Sequence, residues 1–174
     1  MQVLVLHKKR IAVLSLLVAL ALATNYMLFP FWNVKLMDFL IFTAGFLLGP
    51  IYGAAAGVLV WLVYGTLNPL GFNLFVLAVV APLETLYGIG GGLLRKWGIS
   101  PTKAAMIGLV TTFTYDFVTN GLTGIIFYKD FLLGLKVGAP FALVHEMANA
   151  VIFATLAGLL YPRLQTMAIV KELS

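Results

Sequence analysis

The sequence contains no cysteine, which excludes a disulfide framework and any thiolate metal site. Charge is almost as scarce: 10% of the 174 residues are charged, and only six are acidic. No G-x-x-x-x-G-K-[ST] loop is present to hold a nucleotide triphosphate, and neither HExxH nor G-x-S-x-G occurs. His145-Glu146 lacks the second histidine a zinc protease needs. The chain holds two histidines in all, so no paired His/Cys ligand set exists, and neither a metal, a cofactor nor an enzymatic reaction is expected. Hydrophilic stretches long enough for a separate soluble domain are missing too. The net charge of +5 is modest, and the basic residues cluster at the ends of apolar segments. That distribution marks membrane topology rather than a nucleic-acid surface.

What remains is apolar. Hydrophobic residues make up 62% of the chain and the mean hydropathy is +1.05. No water-soluble domain of this size has enough interior to hide that much apolar surface. The composition therefore predicts one integral membrane domain over 1–174, all α-helical. A spanning helix needs about 20 apolar residues, fewer if it is short or broken. Six segments qualify: 11–29, 36–49, 51–67, 72–94, 104–127 and 140–161. The first follows His7-Lys8-Lys9-Arg10 and could imitate a signal peptide, but it is long for one and reads as a retained helix. Gly49-Pro50 and Asn68-Pro69 punctuate the middle of the chain. Ser100-Pro101 supplies an N-cap and a first-turn proline to the fifth segment, and Pro140 is expected to open the sixth in the same way.

Six spans put both termini on one side. Lys8, Lys9, Arg10, Arg95, Lys96, Lys103, Arg163 and Lys171 then share that side, against Lys35, Lys129 and Lys136 on the other. This excess of positive charge predicts cytoplasmic termini. Phe31, Trp32, Trp97 and Tyr128 sit at span ends, as an aromatic belt requires.

Polar residues inside these runs are the unusual feature. Asp116 and Asn120 are four apart, as are Tyr115 and Thr119, and His145 and Asn149, so each pair shares a helix face. An ionised carboxylate in hydrocarbon costs several kcal/mol, about 2.5–3.5 even on the mildest scales, so such residues face a protein interior or a cavity. Counted from the outer helix ends at 1.5 Å per residue, Asn149 lies roughly 12 Å deep, His145 and Glu146 about 6–8 Å, Asn120 about 10 Å and Asp116 about 16 Å. Trp61 and Tyr64 fall near the same face, Asn25, Tyr26, Asp38 and Asn73 lie at span ends there, and Glu84 is deeper, beside the helix-breaking Pro82. The expectation is one pocket open to the outer face, bordered by Trp61, Tyr64, Asn73, Glu84, Tyr115, Asp116, Asn120, His145, Glu146 and Asn149. Interhelical hydrogen bonding without a ligand is the competing use of the same residues. For Thr111, Thr112, Thr119 and Asn73 taken singly, it fits equally well. Four intramembrane carboxylates without an intramembrane Lys or Arg make a cationic or hydrogen-bond-donating ligand the easier one to hold.

Small residues mark contact surfaces. Gly45, Gly49, Gly53 and Gly57 recur every four residues, as do Gly88 and Gly92, and such ridges let backbones approach closely within a bundle. Ser15, Ala19 and Ala23 form a similar ridge on the first helix.

Length, six spans with cytoplasmic ends, the glycine-rich turn from Gly45 through Gly49-Pro50 to Gly57, and Ala19-x-x-x-Ala23 together resemble the S component of an energy-coupling factor (ECF) transporter. The resemblance covers essentially the whole chain. It implies capture of a vitamin or similar micronutrient near the outer face, mainly by helices four to six. It implies docking of Ala19 and Ala23 on a transmembrane coupling subunit, with two ATPase subunits on separate chains. The substrate itself does not carry over. A membrane scaffold whose polar residues only join helices is the alternative, and an intramembrane acid/base enzyme using Asp116 and His145 is a third reading.

Overall fold

One short helix is enclosed by the others. In the computed structural model, which describes residues 2–97, 100–164 and 166–167, the chain forms α1 (Gln2–Met27), α2 (Met37–Leu48), α3 (Pro50–Thr66), α4 (Leu74–Trp97), α5 (Pro101–Tyr128) and α6 (Phe131–Leu164). No strand occurs among the described residues. Eleven of the twelve residues of α2 are buried, in keeping with a sequence, Met37-Asp38-Phe39-Leu40-Ile41-Phe42, that is apolar nearly all round. It packs against α1, α3 and α4 and reaches α6. Phe39 and Phe42 meet Phe153 with ring centroids 5.3 and 5.1 Å apart, and Phe46 stacks on Tyr161 at 4.3 Å.

The boundaries follow local chemistry. Ser100 accepts a hydrogen bond from the Lys103 backbone N–H at 3.2 Å and Pro101 opens α5, as expected. Gly49, at φ +101°, closes α2 and lets Pro50 start α3 at once. Asn73 caps α4 through Oδ1, which accepts from the N–H groups of Phe75 and Val76. Helix α6 departs from expectation. It starts at Phe131 rather than Pro140, because Asp130 caps it, accepting from Leu133 N–H at 3.1 Å, and Lys129 turns the chain at φ +58°. Pro140 therefore lies inside α6, where it leaves the Lys136 carbonyl without its helical donor.

Consecutive helices alternate in direction. Tyr52, near the start of α3, meets His7 and Arg10 of α1. Arg95, near the end of α4, donates to the Leu47 carbonyl at the end of α2 at 3.1 Å, and Gly158 of α6 lies over Pro101. The start of α1 and the end of α6 thus share one end of the bundle. Tyr26 and Tyr64 meet at the opposite end, where Tyr26 also donates to the Leu67 carbonyl.

Glycine sets the inner spacing. A Cβ on Gly45, Gly53 or Gly88 would collide with backbone of a facing helix, so α2, α3 and α4 approach at van der Waals contact of their main chains. Among the described residues, three helices are long and apolar enough to cross a membrane: Leu6–Met27, Leu74–Arg95 and Phe131–Leu164. Helix α5 has 28 residues, but its threonines, Asp116 and Asn120 lower its hydropathy. Lys171 lies outside the described residues, as do the side chains of Lys96 and Trp97.

Candidate functional site

The polar residues converge on the first turn of α2. Asp38, two residues into that helix, is fully buried. Its Oδ2 lies 2.6 Å from His145 Nε2 and accepts from Asn149 Nδ2 at 2.7 Å. The other ring nitrogen of His145, Nδ1, lies 3.0 and 3.1 Å from the two Asp116 oxygens. Asp38, His145 and Asp116 therefore form a chain with an imidazole between two carboxyl groups. A neutral imidazole has a single N–H, so satisfying both contacts requires a second proton in the chain, on the ring or on one carboxyl. Asn149 also donates to Thr112 Oγ1 at 2.9 Å, and Tyr87 donates to the same oxygen at 3.0 Å. Thr112 in turn donates to the Gly108 carbonyl.

A second pair flanks this chain. Trp61 Nε1 donates to Glu84 Oε2 at 2.8 Å, and the Glu84 carboxyl, fully buried, faces Asp38. Asn149 Oδ1 meets no hydrogen-bond donor, and Asp38 Oδ1 and Glu84 Oε1 have none except a proton shared between the two facing carboxyl groups. Native interiors satisfy the large majority of such groups, so each orphan needs a reason. Above them, Lys35 Nζ lies 5.7 Å from the Trp61 ring centroid and 5.3 Å from that of Tyr115.

The ten candidate residues divide into three places. Trp61, Glu84, Tyr115, Asp116, His145 and Asn149 belong to the buried assembly. Tyr64 and Asn73 border two outer cavities: Tyr64 one of about 460 Å³ beneath residues 28–35, Asn73 one of about 370 Å³ that also touches Trp61. Asn120 and Glu146 line a groove of about 380 Å³ on the α5–α6 flank, with Asp116 at its floor. Asn120 there packs on Gly138. The ten residues are thus spread over the buried assembly, two outer cavities and a flank groove rather than along one wall. The assembly lies at the first turn of α2 and midway along α4, α5 and α6, and it is shut from above by residues 28–36, where Asn33 Nδ2 donates to the Phe141 carbonyl at 2.9 Å and Trp32 packs on Phe141. Helix α6 begins earlier than expected, and its first turns run past residues 28–36, which meet it at Phe141. Counted from Phe131, Asn149 lies about 27 Å along the helix.

Lys35, Asp38, Tyr87 and Thr112 were not among the expected contacts. Spacing carried a signal for one of them: Glu84 and Tyr87 are three apart on α4, which is one helical turn. Ala19 and Ala23 are both exposed on α1. No group of three or more metal-ligating side chains occurs among the described residues.

Fold and site define a helical bundle with membrane-length helices around a buried ionisable assembly. No family model, curated protein or solved structure matches the chain.

Proposed function

We propose that this protein is the substrate-binding S component of an ECF-type transporter, capturing a vitamin or similar micronutrient at the outer face of the cell membrane. In this reading all six helices span, the termini and the loop at Ser100 are cytoplasmic, and lipid surrounds the bundle. A separate coupling subunit and two ATPase subunits supply the energy, and nucleic acid has no part. The observation that carries the proposal is the buried cluster of acceptors on Asp38, Glu84 and Asn149, the two carboxyl groups facing each other, beside two aromatic rings. Packing alone gives no reason to bury three carboxyl groups together. Small-molecule sites combine a largely apolar lining with a few convergent polar groups, which matches Trp61 and Tyr115 beside those acceptors. The exposed small-residue face of α1 supports the docking role of Ala19 and Ala23.

The scaffold reading has one observation in its favour. His145 and the Asn149 amide hydrogens are satisfied within the chain, as interhelical joints are. Equilibrium binding of a vitamin panel to the purified protein, with mass spectrometry of any ligand retained through purification, separates the two. A member bound at micromolar or tighter Kd is the expected result. Failure of the whole panel, with no retained ligand, leaves the scaffold.

A further inference from the structure

Lys35 is placed oddly for a topology charge. It lies in the segment between α1 and α2, half-buried, with its ammonium directed at two aromatic rings and no carboxylate oxygen within ion-pair distance among the described residues. Its charge nevertheless acts on Asp38, Glu84 and His145. The ring faces it occupies belong to Trp61 and Tyr115, both nearly inaccessible to solvent. An ammonium between aromatic faces and acidic side chains is the recognition chemistry of an organic cation.

We infer that the buried assembly is an organic-cation site and that Lys35 occupies it as a tethered stand-in, which the ligand displaces on entry. The inference rests on the proposed capture function and names its ligand class. The unpartnered atoms of the assembly itself agree in sign, since Asp38 Oδ1, Glu84 Oε1 and Asn149 Oδ1 are all acceptors, the two carboxyl oxygens facing each other, whereas the unpartnered donor Asn25 Nδ2 borders the outer cavity. An anionic ligand would meet these oxygens unfavourably. A cation carrying N–H groups satisfies them while its charge faces the rings. Space for Lys35 to withdraw exists on its outer side, where the cavity of about 460 Å³ is bordered by Lys35 itself, Asn25, Trp32, Tyr64 and Phe141. The segment carrying Lys35 is short, held to α6 by the Asn33 and Trp32 contacts with Phe141.

A tethered competitor lowers apparent affinity by the fraction of molecules in which the site is vacant. Removing its charge therefore tightens binding of a cation, whereas removing a true anion-binding lysine abolishes binding. The probe is N-methylpyridinium, with benzoate as the anion of similar size, titrated by saturation-transfer NMR against detergent-purified wild type, Lys35→Met and Lys35→Arg. Melting of each ligand-free variant verifies folding. Lys35→Met is expected to bind N-methylpyridinium about tenfold or more tighter than wild type, Lys35→Arg to match wild type, and benzoate to bind none. Equal cation affinity in wild type and Lys35→Met overturns the inference, as does absence of cation binding in both. Benzoate binding that is lost in Lys35→Met overturns it in favour of an anion site. The vitamin panel keeps the parent reading separate: a neutral or anionic vitamin bound by wild type retains the capture function and removes the cation site. A cation gain in Lys35→Met with no vitamin bound has the opposite meaning.

Discussion

Asn149 is the joint of the buried assembly, because its amide donates to Asp38 on α2 and to Thr112 on α5 from a position on α6. Removing it leaves a buried carboxylate short of one donor, at a cost of about 1–3 kcal/mol. Asn149→Ala is expected to lose that much stability in the ligand-free protein, measured by denaturant titration in detergent, and to bind ligand more weakly as well. Asn120 lies on the same helical face as Asp116, yet it packs on Gly138 and makes no side-chain hydrogen bond. Asn120→Ala is expected to change stability by less than about 0.5 kcal/mol. If both alanine variants melt lower but keep wild-type affinity, these polar residues serve packing alone. The comparison also measures what the sequence could tell. Helical spacing placed His145 with Asn149, and both meet Asp38. It placed Asp116 with Asn120, and these two part company, because periodicity fixes a face and leaves open which neighbour covers each end of it. Lys35 was unreadable for a different reason. A lysine before a span is an ordinary topology signal, and only the path of residues 28–36 over the bundle turns it inward.

At the scale of elements, glycine spacing was the most legible signal. Gly45, Gly53 and Gly88 lie where three helices touch backbone to backbone, and a methyl group on Gly88 would enter the Gly53 peptide. Backbone cannot yield as a side chain does, so Gly88→Ala is expected to destabilise by about 1–3 kcal/mol or more. A Cβ on Gly90, two residues on, would meet side chains rather than backbone: the Ile107 Cγ2 methyl at 3.3 Å, and Phe42 and Thr111 at 3.9 Å. There the helix propensity of alanine, up to about 1 kcal/mol over glycine, offsets the small shift required. Parallel melting curves decide the matter, and equal losses for the two variants would contradict the close α3–α4 contact. The start of α6 was the element that sequence hid. Lys129, Lys136 and Pro140 resemble a loop in the linear chain. Gly134 and Gly138, however, fit against Gly124 and Asn120 of α5, and that packing carries the helix back to Asp130.

Two predictions belong to the whole molecule, and the first is its orientation. The bundle has one end that collects His7, Arg10, Arg95 and Pro101 and another that carries Leu70 and Trp32. With no native cysteine, single cysteines at Ser100 and Leu70 report without background. In intact cells a membrane-impermeant maleimide is expected to label Leu70→Cys, which replaces a residue 85% exposed, and to spare Ser100→Cys until the membrane is opened. Labelling of both from outside would remove the six-span orientation.

The second is docking. Helix α1 packs on α2 and α3, and the face it turns away carries Ser15, Leu16, Ala19, Leu20 and Ala23, all exposed. Small residues at that spacing allow a partner helix to approach closely in lipid, where van der Waals contact rather than water exclusion drives association. A large ring at Ala19 blocks such an approach and leaves the interior untouched, since the buried assembly is built from α2 to α6. Ala19→Trp is therefore expected to keep wild-type melting and ligand affinity while weakening co-purification with the proposed coupling subunit by about tenfold or more. Ala21, two residues away and fully buried, is the internal control, because Ala21→Trp must overpack the core and lower the melting temperature. Should Ala19→Trp lose ligand or stability while still assembling, the ridge serves internal packing, and the coupling contact has to be sought on another helix.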